Sequence, residues 1–482
     1  MPDKNKKPMR RTKIVATLGP GSSSPEVILE MVYAGVDTFR LNFSHGSHEE
    51  QKNRANLIRE CSEEAGRVVS ILADLQGPKI RTHKFKDAHV QLIKGERFIL
   101  DAALDKDSGD EERVGITYKD LPKDVKPGNV LLLDDGRVEL EVQEVVGEEI
   151  HCVVVYTSVL SNNKGINLKG GGLSAPALTE KDKADLKAAV EMKVDYVALS
   201  FATSAADVNQ CRELVRAEGS HAGIVTKVER AEAIDNLEEI IEASDVIMVA
   251  RGDLGVEMGD AELPALQKSL IKKARSMNKV VITATQMMES MIDSPIPTRA
   301  EVFDVANAVL DGTDAVMLSG ETAVGKYPAK TVRAMGRICE HAEKQSIAMT
   351  SDHRLNLTFG RVDEAIAMAT MYTANHVKTN AIASLTESGA TVLWMSRISS
   401  GIPIYALTPG LETLRKVTLY RGVYPVTVEF DKIGPYNVTD DILKLLQQKK
   451  IVCTGDRVII TRGDLLGEKS GGSNLMKIVS VQ

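Results

Sequence analysis

Eight short β-branched runs, each followed by a stretch of helical period, constrain this chain of 482 residues more than any other feature. The first run spans 13–17 and precedes a helix over 25–34; the second, 38–42, precedes a helix through Ile58. The third is 68–74, and the other five are 196–200, 224–227, 246–250, 280–284 and 315–318, followed by helical segments such as 205–217 and 231–243. Strand and helix alternating eight times predict a closed (β/α)8 barrel, a TIM barrel. One helix start is explicit: Thr179 with Asp182 three residues on forms a variant capping box ahead of the apolar stripe Leu186, Ala189, Val190.

The repeat is interrupted once. Between about Pro78 and Gly170 the helical period vanishes, replaced by alternation such as Val138-Glu-Leu-Glu-Val142 and the hairpin signal Asp135-Gly136. We read this as a small β-domain, a β-barrel lid, inserted after the third strand, with Gly77-Pro78 and Gly170-Gly171-Gly172 as hinges. A flap in that place overhangs the face where barrel enzymes carry their active sites. After about Ile347 a third pattern begins: helix 363–377, strand 381–386, a helix from Gly389, strand 404–407, helix 411–419 and strand 457–461. The expected organisation is a discontinuous barrel (1–77 and 171–346), an inserted lid (78–170) and a C-terminal open α/β domain (347–482).

Composition excludes several classes. The N-terminus, Met1 to Arg11, is basic without an apolar core and does not fit a secretory signal. No apolar run approaches the ~20 residues that span a bilayer. The net charge of −7, with no basic stripe, argues against nucleic acid as a partner. Five scattered cysteines (Cys61, Cys152, Cys211, Cys339, Cys453) suit neither a disulfide framework nor a thiolate metal site, and point to a reducing, cytoplasmic compartment.

The polar residues collect at the carboxyl ends of the predicted strands. The second ends in Arg40-Leu-Asn42-Phe-Ser44-His45, the third in Asp74 and then Lys79 and Arg81, the fifth in Lys227-Val-Glu229. The sixth ends in Arg251-Gly252-Asp253, the seventh in Thr285 and the eighth in Ser319. In a barrel these ends share one mouth. Arg40, Arg81 and Lys227 are suited to neutralise phosphate, Glu229 and Asp253 to bind Mg²⁺ or Mn²⁺ through oxygen, and Thr285 and Ser319 to hold water or relay a proton. Those are the parts of phosphoryl transfer. Each part also has a plainer reading. Lys227 and Glu229 alone would pass for a barrel salt bridge, and His45 for a turn residue. Met287, Met288, Met291, Cys211, Cys339 and Trp394 read as packing.

The segments RLNFSHG (40–46), MVARGDLGVE (248–257), ATQMMESM (284–291), TRAEVFDVAN (298–307) and GTDAVMLSGET (312–322) resemble signatures of the pyruvate kinase family, bacterial type, in order along the whole chain. The resemblance implies transfer of the phosphoryl group of phosphoenolpyruvate to ADP, giving pyruvate and ATP, the last step of glycolysis. Arg40 would contact the transferred group, and Lys227 would bridge it and stabilise the enolate. Glu229 and Asp253 would bind the divalent metal, and backbone N–H groups at Gly252 and Asp253 would meet the substrate carboxylate. Thr285, with Ser319 in the proton network, would lie near C3; His45, Asn42 and Arg81 would face the nucleotide, whose ADP would bring a second metal. Asp134 and Asp135 would reach over from the lid, although Asp-Gly is equally a plain hairpin turn.

The family's monovalent-cation residues match Asn42, Ser44 and Asp74. Members that need K⁺ usually read Asp-Thr-Lys-Gly-Pro-Glu there, whereas this chain reads Asp74-Leu75-Gln76-Gly77-Pro78-Lys79. The Lys79 ammonium is therefore expected to occupy, or electrostatically replace, the K⁺ site, placing the chain in a potassium-independent subgroup. Where members often have Pro, Lys169 makes for a looser hinge. The family's effector site falls on Thr386, Ser388, Gly389 and Thr391 and on the loop 467–473. Glu387 and Glu468 there favour a sugar monophosphate or AMP over a doubly phosphorylated activator. A homotetramer is expected. The competing readings are a metal-dependent aldolase or lyase, which would not need the flap or Arg40 beside Lys227, and a non-catalytic metabolite sensor, which would have lost Lys227, Glu229 or Asp253.

Overall fold

The computed structural model describes residues 9–351, 354, 357–429, 437–463 and 472–482. Eight parallel strands close into a barrel in chain order: β1 (Lys13–Leu18), β2 (Thr38–Asn42), β3 (Ser70–Asp74), β4 (Tyr196–Leu199), β5 (Gly223–Val228), β6 (Val246–Ala250), β7 (Val280–Ala284) and β8 (Ala315–Leu318). Parallel strands covered by helices are buried on both faces. Here every strand position is buried except Arg40, Asn42 and Lys227, all near the carboxyl ends of β2 and β5. The barrel therefore opens to solvent where the sequence puts its charge.

The outer helices start as the sequence dictates. Thr179 accepts from the backbone N–H of Asp182, whose carboxylate accepts in return from the Thr179 N–H. The same reciprocal box, unrecognised in the sequence, recurs at Ser47 with Glu50, Ser204 with Asp207 and Thr298 with Glu301. The second helix runs past Ile58, over His48–Glu64. The helix expected over 231–243 is broken at Asn236 into Glu232–Asp235 and Leu237–Ala243, because the Asn236 amide turns to donate to Thr203 O. Met287, Met288, Met291, Cys211 and Cys339 are fully buried, as packing residues should be.

The insert after β3 contains a six-stranded sheet, ordered Ile166–Leu168, Val130–Leu133, Val138–Val146, Glu149–Val154, Arg97–Asp101, Arg113–Gly115. A separate ribbon pairs Ser158–Ser161 with His89–Leu92. The segment 80–83 joins the two outer strands of the sheet, Arg81 bridging Gly165 beside Ile166–Leu168 and Thr82 bridging Ile116 beside Arg113–Gly115. Both carry one apolar core, including Phe98, Leu100, Leu131, Val138, Ile150 and Leu160.

The C-terminal domain has β9 (Ala381–Leu385), β10 (Ile404–Thr408), β11 (Val423–Thr427), β12 (Arg457–Arg462) and β13 (Leu475–Ser480), ordered β11-β10-β9-β12-β13. Only β13 is antiparallel. Two of these strands escaped sequence reading: β11 contains Pro425, tolerated on an edge, and β13 alternates too weakly. The domain caps the amino-terminal face of the barrel. Val15, Leu72 and Val246 inside the barrel join one apolar cluster with Ile382, Met395 and Ile459. The Tyr196 hydroxyl donates to Lys416 O at 2.6 Å, and fully buried Arg397 pairs with Asp314 at the start of β8. The opposite, carboxyl face is left free for chemistry.

Candidate active site

Four charged side chains form a continuous chain across the mouth. Arg40, on β2, donates from Nε to Asp74 Oδ2 at 2.6 Å and from a terminal nitrogen to Thr17 Oγ1 at 3.1 Å. Asp74, the last residue of β3, lies 3.4 Å through Oδ1 from Lys227 Nζ. Lys227 also reaches Glu229 Oε1 at 2.8 Å and Ser200 Oγ at 2.8 Å. Two cations thus alternate with two anions, all with side chains at most 13% exposed. Spacing on β5 puts Lys227 and Glu229 on the same side of the strand, and the ends of β2, β3 and β4 supply the rest.

Burial by itself would strip the proton from Lys227; Asp74 and Glu229 outweigh it and hold the ammonium above its ordinary pKa. Asp74 is likewise kept below the usual carboxylate range, because Lys227 and Arg40 overcome its burial. Burial raises the Glu229 carboxyl, which Lys227 opposes and Asp253 reinforces. Glu229 also accepts from the Phe201 N–H at 3.0 Å. Ser200 and Phe201, just past β4, were not among the predicted site residues. The polar Ser200 ending an apolar strand was the available signal.

The β6 and β7 ends are locked together. Buried Arg251 donates to Asp304 at 2.6 Å, to Thr285 O at 2.7 Å and to Ala284 O. This holds Thr285 and Gln286 at φ of 66° and 53°, a left-handed backbone costly for a β-branched threonine. Thr285 Oγ1 then accepts from the Gly252 N–H at 2.9 Å and donates to Ala284 O. The Gly252 N–H expected to meet a substrate carboxylate is bonded to Thr285 in this arrangement. Asp253, next in the helix Arg251–Met258, stays partly exposed. Ser319 is fixed through its N–H to buried Glu321 at 2.6 Å, which also accepts from Met288 N. Glu321 is a second residue that sequence reading did not single out.

Lys79 is not where the sequence suggested. Its ammonium donates to Asp253 Oδ1 at 3.2 Å, not to Asn42, Ser44 or Asp74. The chain leaving β3 explains the difference: Leu75 N bonds to Ala198 O and Gly77 N to Asp182, drawing it toward β4 and across to β6. The left-handed Gly77 has no room for a Cβ, which would lie 2.7 Å from Ser200 Cβ. Asn42 and Ser44 close their own turn, with Ser44 N donating to Asn42 Oδ1.

In the loop past β2, His45 is exposed, and its pKa is lowered by partial burial and by Arg81, Arg40 and Lys181. Arg81 stands at the base of the lid, donating to Asn163 O at 3.0 Å. Lys181, unpredicted, donates to Phe43 O at 2.8 Å within the same loop. A cleft of about 730 Å³ lies between lid and barrel, lined by Lys79, Asp135, Gly252, Asp253, Thr285 and Ser319 among others. Asp134 and Asp135, with φ of 52° and 56°, form the hairpin turn. Asp134 is tied to Lys164 at 2.8 Å while Asp135 faces the cleft, so the two readings of this pair divide between its members.

In the C-terminal domain Thr386 Oγ1 accepts from Gly389 N at 3.0 Å, Ser388 Oγ from Ala390 N at 3.4 Å, and Thr391 Oγ1 meets Ser473 Oγ at 3.0 Å. The loop lies past the carboxyl end of β9, beside β12, where the strand order reverses. Residues 467–471 of the second loop, with Glu468, fall outside the described residues.

Two family models match: "Pyruvate kinase, barrel domain" over residues 9–332 and "Pyruvate kinase, alpha/beta domain" over 364–479. Pyruvate kinase II of Salmonella typhimurium is 54% identical over 479 residues, covering 98% of this chain and 99% of that protein. A pyruvate kinase of Buchnera aphidicola subsp. Acyrthosiphon pisum is 53% identical over 477 residues, with coverage of 98% and 99%. The crystal structure of a pyruvate kinase from Cryptosporidium parvum superposes with a TM-score of 0.90 at 34% identity, covering 98% of this chain and 96% of that one.

Proposed function

The chain belongs to the pyruvate kinase family, an enzyme that converts phosphoenolpyruvate and ADP to pyruvate and ATP, and we propose that the Arg40–Asp74–Lys227–Glu229 chain of charges is its phosphoryl-transfer centre. That alternation is the observation carrying the reading. Lys227 stays protonated, so it serves as a fixed cation and not as a base. It bridges the moving phosphoryl group and then the enolate oxygen, while Arg40 holds the phosphoryl oxygens. A preorganised charge in a water-poor site needs no reorganisation as the transition state forms.

Glu229 and Asp253 are the residues that hold the divalent metal. Among the described residues no group of three or more His, Cys, Asp or Glu forms a closed metal cage. Two carboxylates at adjacent strand ends suit Mg²⁺ or Mn²⁺, which take their remaining oxygens from substrate and water. The Asp253 charge raises the Glu229 carboxyl, a repulsion that a cation between them would relieve. When bound, the ion neutralises the substrate carboxylate and phosphate and acidifies the enol system. Thr285 and Ser319 orient the water or hydroxyl that protonates C3. His45, its pKa lowered by partial burial and the neighbouring cations, lines the ADP side with Arg81 and Asn42. The lid closes on Gly77 and Gly170–Gly172, all of positive φ, to keep water from the phosphoryl group.

We further propose that the enzyme needs no K⁺. Lys79 sits on Asp253, so it acts on the Asn42, Ser44 and Asp74 site by its field and not by filling it. At an effective dielectric of ~20, two unit charges 4 Å apart interact by about 4 kcal/mol, the scale of the penalty a nearby ammonium sets on a second cation. Wild-type enzyme is expected to turn over fully in tetramethylammonium buffer. Lys79→Glu should lower that basal rate and restore activation by K⁺, on the order of tenfold or more, each ~1.4 kcal/mol being a factor of ten. A wild type inactive without K⁺ would sink this assignment.

The loop of Thr386, Ser388, Gly389 and Thr391 is proposed to bind a phosphorylated activator, a sugar monophosphate or AMP. Steady-state turnover across a panel of sugar phosphates, with and without K⁺, tests the reading. Exposed Ile296 and Phe303, flanking the start of the helix Arg299–Asp311, support burial against other copies in a homotetramer. Among the described residues no helix is long and apolar enough to cross a membrane, and no cysteine is paired, in keeping with cytoplasmic work.

A further inference from the structure

The lid returns to the barrel through a cluster of bonds that the reaction itself does not use. Glu257, near the far end of the helix that opens with Gly252 and Asp253, is 4% exposed. Its Oε2 accepts from the N–H of Ala231, two residues beyond Glu229, at 3.0 Å. Its Oε1 accepts from the side chain of Asn167, in the lid strand Ile166–Leu168, at 3.4 Å. Its backbone oxygen accepts from the Gly170 N–H of the hinge at 3.3 Å. Two neighbours strengthen the junction: Glu232 accepts from the Gly172 N–H, and Arg230 donates to Leu173 O at 3.3 Å.

One buried carboxylate therefore touches three bodies: the segment after β5, the helix after β6, and the lid. A buried carboxylate without an ion pair is costly, and an apolar side chain of similar volume would fill the space more cheaply. Burial pushes the Glu257 carboxyl up to about 7, with Glu232 adding to this and Arg230 opposing it. The backbone and amide donors are what make the group tolerable there, and they link exactly the segments bearing Glu229 and Asp253.

We propose that Glu257 is a positioning residue for phosphoryl transfer, coupling the seating of the lid through Asn167 to the placement of the Glu229 and Asp253 carboxylates. The inference rests on the metal assignment above and goes beyond it in making the lid part of the metal site's support. Outer partners of metal ligands typically change affinity or activity ~10–100-fold when removed.

The test uses the full-length enzyme and the variants E257A, E257Q, N167A and N167A/E257A. Mn²⁺ affinity is read by the electron paramagnetic resonance of free Mn²⁺, alongside kcat and the KM for phosphoenolpyruvate. E257A is expected to lower both Mn²⁺ affinity and kcat about 10–100-fold, with a smaller change in KM. E257Q, which can still accept from Ala231 and pair with a turned Asn167 amide, should stay within about threefold of wild type. N167A should reproduce much of the loss, and the double variant should be no worse than E257A, as for a coupled pair. Wild-type Mn²⁺ affinity and turnover in N167A, or additive losses in the double variant, would overturn the coupling. If E257A does not fold, E257Q and N167A decide the matter, since failure of Gln to preserve function beside an inert N167A also refutes it. Should Glu229→Gln leave Mn²⁺ affinity unchanged, the metal assignment fails; should only the Glu257 and Asn167 variants do so, this inference alone fails.

Discussion

Lys227→Met is expected to cut ATP formation by about 10³–10⁵-fold, the range over which a single transition-state cation acts in phosphoryl transfer. Proton exchange at C3 of pyruvate should fall much less. The variant keeps the length of the side chain and removes only its charge. What remains is Asp74, still bonded to Arg40 at 2.6 Å, and Glu229, still held by the Phe201 N–H. The phosphoryl group loses the fixed cation that faces its developing charge, whereas enolisation still has the metal and the hydroxyl network. The comparison belongs at saturating Mg²⁺ and mildly alkaline pH. Burial already raises the Glu229 carboxyl, and without Lys227 to oppose it the group would take up a proton more readily still. The carboxylate form, and the metal binding that needs it, is therefore present above the raised pKa and lost as pH falls through it. Equal losses in the two assays would contradict the role assigned to Lys227.

Glu229→Gln and Asp253→Asn should each lower turnover on the order of 10³-fold, since each removes a charged ligand of a metal that supplies several kcal/mol. The two differ in surroundings. Glu229 is almost fully buried and is one of two anions flanking Lys227, so its loss leaves that ammonium with Asp74 alone at 3.4 Å. Asp253 is 20% exposed and its partner Lys79 can turn to water. Glu229→Gln should therefore be the more damaging, and only it should also lower thermal stability. Near-normal turnover of both at limiting Mg²⁺ would remove the metal assignment.

Much of the fold was legible because it is written in period. Each of the eight barrel strands was predicted within two residues of its observed ends, since runs such as Val246–Ala250 are buried on both faces and bounded by turn residues. Helices were placed by their caps, and misplaced where a side chain intervened locally, as at Asn236. The strand-end residues Arg40, Asp74, Lys227 and Glu229 could be gathered from sequence because barrel closure brings all carboxyl ends to one face. What closure does not encode is which cation meets which anion. Lys79 was assigned to the Asn42 side from its motif position and its charge, but the bonds of Leu75 and Gly77 steer it to Asp253. Ser200 and Phe201 were missed because a serine and a backbone N–H carry no charge signal. Glu257 and Glu321 were missed because a carboxylate that only braces backbone looks, in sequence, like any helical glutamate.

The most direct test is a ³¹P NMR time course of phosphoenolpyruvate and ADP with Mg²⁺ and the wild-type enzyme, in buffer free of K⁺ and Na⁺. The phosphorus of phosphoenolpyruvate is predicted to appear stoichiometrically as the γ-phosphate of ATP, with no inorganic phosphate, because the charge chain transfers it and the lid keeps water out. Release as inorganic phosphate, or persistence of phosphoenolpyruvate until K⁺ is added, would contradict the account.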